Sequence, residues 1–198
     1  MSAPDLTSLA AELQPLAAAD FVQLPPPPPA PKPAAPAKPA APAADGAAPA
    51  PAPAPAPAAP PPPPPPPQPI ALCDFAVRGV HLEAVVRPEC VVDAARILDR
   101  AGYAIDAVTG MDWMAQGLME VIYDYLHFTS GARVAVRARL PRDNPRIASI
   151  HTVFSGADWH ERETHDMFGI VFDGNPNQTP FLLPDDADYH PLRKDFKA

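Results

Sequence analysis

The chain has 198 residues, 33 of them proline, and 24 of those prolines lie between Pro25 and Pro69. The same 45-residue window holds 16 alanines and otherwise only Lys32, Lys38, Asp45, Gly46 and Gln68. A stretch without aromatic or branched apolar side chains buries too little surface to offset the entropy of ordering, so 25–69 is predicted to be a disordered linker. Residues 70–198 remain, 129 in number, enough for one modest core and not for two domains. They carry 13 Lys/Arg against 19 Asp/Glu, part of a whole-chain net charge of −8, which excludes the basic field that nucleic-acid backbones require.

No run of 18 apolar residues is present, so no membrane span is expected. A basic start followed by an apolar stretch is also missing, which argues against a secretory signal. Cys73 and Cys90 are the only cysteines, read as reduced thiols of an intracellular protein.

In chain order, Leu6, Leu9, Leu13 and Leu16 recur at three- and four-residue steps, the pattern of one face of a short helix over 1–24. Ser2 or Asp5 is the expected cap, and Pro15 limits its length. Such a segment is either a frayed terminus or a helix that docks in a partner's groove. The Pro/Ala window after it fits an extended spacer with a reach on the order of 100 Å, or, less readily, a ligand for proline-binding adaptors.

Val80–Val86 alternates like a strand and ends at Arg87-Pro88. From Glu89 to Ala101 an amphipathic helix places Val91, Ala94, Leu98 and Ala101 on one face, with Gly102 to end it. Tyr103–Val108 is predicted as a strand that leaves through Gly110. Leu118–Phe128 and Arg133–Leu140 flank a Thr129-Ser130-Gly131 turn and should form a hairpin with Arg133, Arg137 and Arg139 on a wet face. Ile147–Phe154 offers another strand. Ser155 and Asp158 have the spacing of a capping box for a helix ending at Gly169, in which Asp158, Arg162 and Asp166, and Glu161 and His165, stand four apart. Beyond residue 172 the chain is punctuated by prolines, an extended tail expected to cover a partner with Phe181, Leu182, Leu183 and Phe196. The fold class expected is α+β: a mixed sheet with packed helices and a long C-terminal tail over 173–198.

Chemistry is sparse. His160 and His165 are five apart, not the four that put two metal ligands on one helix face. Glu161 with His165, joined by His151 or His190, stays open as a metal set of a stand-alone hydrolase, against the plainer alternative of a polar helix. There is no nucleophile motif and no glycine-rich phosphate loop. Two cysteines exclude a four-cysteine iron–sulfur cluster.

The string W-H-E-R-E-T-H-D-M-F-G-I of Trp159–Ile170, followed by H-P-L-R-K-D-F of His190–Phe196, resembles the 30-kDa subunit family of respiratory complex I, the NADH–quinone oxidoreductase of bacteria. The resemblance covers about Arg78 to Lys197. It implies a non-catalytic scaffold subunit of the peripheral arm, on the cytoplasmic side of the inner membrane, beside the quinone-site and iron–sulfur subunits. It further implies no cofactor on this chain, with FMN, Fe–S clusters and quinone held elsewhere in a proton-pumping complex. The matching positions Glu161, Arg162, Glu163, Asp166, Phe168, Gly169, His190, Pro191, Arg193, Lys194 and Asp195 are then expected at a partner interface. Arg193, with Lys194 and Asp195, is expected to anchor the tail by an ion pair. Similar subunits occur in membrane-bound hydrogenases and F420H2 dehydrogenases, which keeps the electron donor open. The leucine-bearing start and the Pro/Ala window depart from the family pattern, as does N-Q-T-P-F-L-L at 177–183, where basic residues are usual. The end of the chain just after Phe196 suggests the form not fused to the quinone-site subunit.

Overall fold

Among the described residues, five strands make the main sheet in the order β1-β2-β5-β4-β3. They are β1 (Ile70–Leu72), β2 (Leu82–Val86), β3 (Ala104–Trp113), β4 (Leu118–Leu126) and β5 (Arg133–Pro141); two helices precede β2, α1 (Leu6–Leu13) and the single turn α2 (Phe75–Arg78). This is a computed structural model, and it describes residues 5–19, 68–177 and 179–197. The expectations for the Pro/Ala window, spacer or adaptor ligand, lie almost wholly outside the described residues.

Every neighbouring pair in the sheet is antiparallel except β2 and β5, which run parallel. The hairpin β4–β5 forms about the expected turn at 129–131, with Tyr123 opposite Val136 and Val121 opposite Ala138. Its inner residues join Leu82, Ala84 and Val86 of β2 in one buried cluster with Ala94 and Leu98 of α3 (Val91–Arg100). The α+β class with a mixed sheet is therefore what forms. The hairpin's other face is not simply wet. Glu120 is buried there between Arg137 (3.3 Å) and Arg139 (3.2 Å), and Glu83 takes Arg137 at 2.6 Å.

Three local expectations need correction. The strand expected at Tyr103–Val108 continues through Gly110 to Trp113 as β3. Gly110 does not end it; its bare Cα lies under the ring of Phe168, where a Cβ would stand 2.5 Å from Cδ2. The strand expected over Ile147–Phe154 is only β6 (Arg146–Ala148), parallel to β7 (Val171–Asp173). The Ser149 amide still donates to Asp173 of β7, but the Ser149 hydroxyl and the Ile150 amide turn to a side-chain carboxylate, and the strand ends there. The capping box is not made: α4 (Ala157–Phe168) is capped by Gly156 without a side-chain bond.

The N-terminal segment is also corrected. Asp5 caps α1 (Leu6–Leu13) by accepting from the amide of Thr7, and Leu9 and Leu13 are buried in the same core as β2 and α3. The helix is not frayed, and the groove it fills belongs to this chain. The globular part therefore includes residues before 70.

Candidate functional site

On α4, Ala157, Glu161, Thr164 and Phe168 recur at helical spacing and face inward against β3. Two of the four are polar, which requires partners inside. Thr164 donates to the carbonyl of Val108 at 3.1 Å. Glu161 has 0% exposure and accepts from Ser149 Oγ (2.5 Å), the Ile150 amide (2.9 Å) and Asn175 Nδ2 (2.8 Å). One carboxyl thereby ties the turn after β6 and the turn after β7 to the helix. Burial pushes its pKa up, and the donors from Ser149, Asn175 and Ile150 offset that only in part. Burial also raises the phenols of Tyr123 and Tyr125, with the nearby Glu161 adding to the effect.

The next turns of α4 hold the tail. Oδ2 of Asp166 accepts from three consecutive amides, Phe181 (2.8 Å), Leu182 (2.7 Å) and Leu183 (3.2 Å). Burial alone would raise this carboxyl, but the amides of Leu182, Phe181 and Leu183 outweigh it and hold the pKa below the ordinary value. Arg162 donates to the carbonyls of Thr179 and Pro180, and its guanidinium carbon lies 5.1 Å from the ring centres of both Trp159 and Phe181. Those two rings meet edge to face at 5.0 Å and remain 54% and 41% exposed.

A helix leaves its last carbonyls without partners of its own. Here the tail supplies them. His190 Nδ1–H donates to Asp166 O (2.8 Å), the Leu192 amide to Met167 O (3.1 Å) and Arg193 Nε to Phe168 O (2.7 Å). Gly169 makes this approach possible: its φ is 72°, and a Cβ would lie 2.5 Å from His190 and 2.6 Å from Arg193. Farther along, Asp112 of β3 accepts two bonds from Arg142 (2.8 and 2.9 Å) and one from the Lys194 amide (2.8 Å). Arg142 then reaches Asp195 at 2.7 Å. Burial would raise Asp112, but Arg142 and the Lys194 amide hold it down.

The expected interface residues thus divide. Glu161, Arg162, Asp166 and Phe168 are buried inside this chain, so the charges of the first three are met internally, which corrects the expectation that partners meet them. Gly169, His190, Pro191 and Arg193 are half-buried in the strap that closes α4, while Glu163, Lys194 and Asp195 are exposed. The tail's ion-pair anchor is Arg142–Asp195, and Arg193 binds a carbonyl instead. Asp112 and Arg142 carried no sequence signal, being 30 positions apart, one in β3 and the other in the turn after β5.

The metal alternative does not assemble. Glu161 is engaged by Ser149, Ile150 and Asn175, His165 Nδ1 by the carbonyl of Ile170 and His190 Nδ1 by that of Asp166. Among the described residues no group of three His, Cys, Asp or Glu side chains is placed to hold a metal ion.

The chain is an α+β domain whose last helix is locked under a C-terminal strap, held by the buried carboxylates of Asp166 and Asp112 and by the last carbonyls of α4. The profile of the respiratory-chain NADH dehydrogenase 30 Kd subunit matches residues 84–198. The chain is 38% identical over 119 residues to a subunit of the NADH-quinone oxidoreductase of Roseiflexus sp. (strain RS-1), covering 58% of this chain and 68% of that protein. With the same subunit of the Roseiflexus castenholzii enzyme the identity is 39% over 119 residues, with the same coverage. Among solved structures, a chain of the membrane-bound sulfane sulfur reductase, an archaeal respiratory membrane complex, superposes with a TM-score of 0.55 at 29% identity, covering 59% of this chain and 71% of that one. The chain belongs to the respiratory-chain NADH dehydrogenase 30-kDa subunit family. Among the described residues no helix is long and apolar enough to cross a membrane.

Proposed function

We propose that this chain is a non-catalytic scaffold subunit in the peripheral arm of a proton-pumping NADH–quinone oxidoreductase, on the cytoplasmic side of the inner membrane. Its partners are the quinone-site and iron–sulfur subunits. FMN, the clusters and quinone reside on those other subunits, and this chain positions them without touching the electrons.

The observation that supports this most is the strap. Residues 179–196 are fixed on their inner side by Asp166, the α4 carbonyls and Asp112. On the outer side the strap and its edge display Trp159, Phe181, Leu182, Tyr189, Leu192 and Phe196 to solvent. A rigid backbone that holds large apolar side chains outward suits a partner surface. Affinity purification through a tag on this chain should recover cluster-bearing and quinone-site subunits together. Recovery of the chain without them would contradict the proposal.

A second reading, the equivalent subunit of a related membrane-bound hydrogenase or F420H2 dehydrogenase, is favoured by the likeness to the archaeal respiratory complex. NADH-dependent quinone reduction by the purified assembly distinguishes the two.

A further inference from the structure

Val85, at the outer ladder of the sheet, is bonded by two residues that stand far apart in the chain. Its carbonyl accepts from the amide of Ala18 (3.0 Å), and its amide donates to the carbonyl of Pro69 (2.6 Å). On one side the ladder continues with Ala17 antiparallel to Val86 and the Arg87 amide bonded to Leu16 O (3.0 Å). On the other side Ile70, Ala71 and Leu72 lie antiparallel to Ala84, Glu83 and Leu82.

The two pieces run in the same direction and share one register. Ala17 faces Val86 and Ile70 faces Ala84, so a single ladder position, opposite Val85, separates them. In an antiparallel ladder one residue there exchanges both of its backbone bonds with Val85. Here the two bonds are divided. Ala18 supplies the N–H, and Pro69, which has no N–H to give, supplies the carbonyl.

We propose that residues 16–18 and 69–72 are the two halves of one edge strand, and that residues 19–68 are an insertion at the ladder position opposite Val85. The described residues on its two sides, Ala18 and Pro69, meet at the same residue of β2. The helix that leads into the first half, α1, is then an ordinary element of the domain, seated by its own strand. Loop closure costs grow only with the logarithm of length, so even a long insertion is tolerated at such a junction. The family match begins at residue 84, so both halves and the insertion lie before it.

Three variants of the full chain test this. In the first, Ala18 is joined directly to Ile70, which leaves one residue opposite Val85. In the second, Ala17 is joined to Ile70, one ladder residue short. The third replaces residues 19–68 by a Gly/Ser connector of about eight residues, long enough to close without strain. The first and third should melt at or above the parent's temperature and keep the Val85 and Arg87 amides protected from hydrogen exchange. The second should lose that protection at Arg87 by at least about tenfold, as expected for a locally opened edge. Equal protection in both direct joins would overturn the shared register. Loss of protection in the first join with a folded third variant would overturn the meeting of the two ends. Failure of all three to fold would make the insertion part of the fold and overturn the proposal as well.

Discussion

Asp112 and Arg142 lie 30 residues apart and face each other through two parallel hydrogen bonds of 2.8 and 2.9 Å. The Asp112 side chain is fully buried, and its remaining capacity goes to the Lys194 amide. The same guanidinium holds Asp195, so one pair fixes the end of the strap to the sheet. Asp112→Ala should cost about 2–3 kcal/mol, at or below the lower end of what breaking a buried pair costs, because Arg142 keeps some contact with water. The drop in melting temperature should be accompanied by rapid exchange of the Lys194 amide. A variant that melts lower but keeps that amide protected would separate the pair from the strap.

Asp166 makes the strap sensitive to acid. Its pKa is held below the ordinary carboxyl value by the amides of Leu182, Phe181 and Leu183. A depressed carboxyl contributes stability above its unfolded value, about 3.9, and loses it as pH falls through the lower folded value. Trp159, in contact with Phe181, reports on the strap. Its fluorescence should change below about pH 4 in the parent. In Asp166→Asn the change should already be present at neutral pH.

Glu161 has the opposite sign. Its pKa is raised, so its ionised form is disfavoured in the folded state above the ordinary carboxyl value, and this opposing effect fades as pH falls through the raised value. Its removal is nonetheless costly. Glu161→Ala would orphan the Ser149 hydroxyl, the Ile150 amide and the Asn175 amide group in the interior. Each orphaned group costs about 1–3 kcal/mol, so cooperative unfolding should fall well below the parent's temperature or be lost. A loss of less than about 1 kcal/mol in denaturant titration would contradict the tie between the two turns and α4.

Gly110 and Phe168 form a close pair of another kind. A methyl at residue 110 would stand 2.5 Å from the Phe168 ring, and the ring is enclosed. Gly110→Ala should destabilise by about 1–3 kcal/mol, the range for overpacking. Adding Phe168→Leu should recover part of that loss in a double-mutant cycle.

Leu13 tests whether α1 belongs to the domain. It is 0% exposed, against α3 and the edge strands. Leu13→Ala should cost about 2–5 kcal/mol by chemical denaturation, as for other buried leucines. A frayed terminus would show no change.

Strand β5 was legible from the alternation of its side chains and α3 from burial every three to four residues, whereas β4, buried at five consecutive positions, was legible from its branched and aromatic residues and the turn after it. The leucine spacing of α1 was legible too, but not its seat, since nothing local in a sequence tells a helix which groove it fills. Gly110 looked like an exit because glycine commonly ends strands, whereas its smallness serves the distant Phe168 ring. On α4 the charges at 161, 162 and 166 looked like a solvated face with pairs four apart. Their partners are instead backbone and side-chain groups 11 to 18 residues away. Such pairing depends on where the turns after β6 and β7 and the strap come to rest, which spacing along one helix does not carry.

On the proposed function, the strap is fixed from inside so that its outer side chains can bind a partner. Leu182 and Leu192 are 52% and 51% exposed, and aspartate at both positions leaves the inner bonds in place. The decisive experiment is co-purification of the oxidoreductase through a tag on the Leu182→Asp/Leu192→Asp chain, beside its melting curve. An unchanged melting temperature is expected, with recovery of the other subunits reduced at least about tenfold, as for loss of central apolar anchors. Full recovery of the complex with the same stable variant would contradict a strap built to bind.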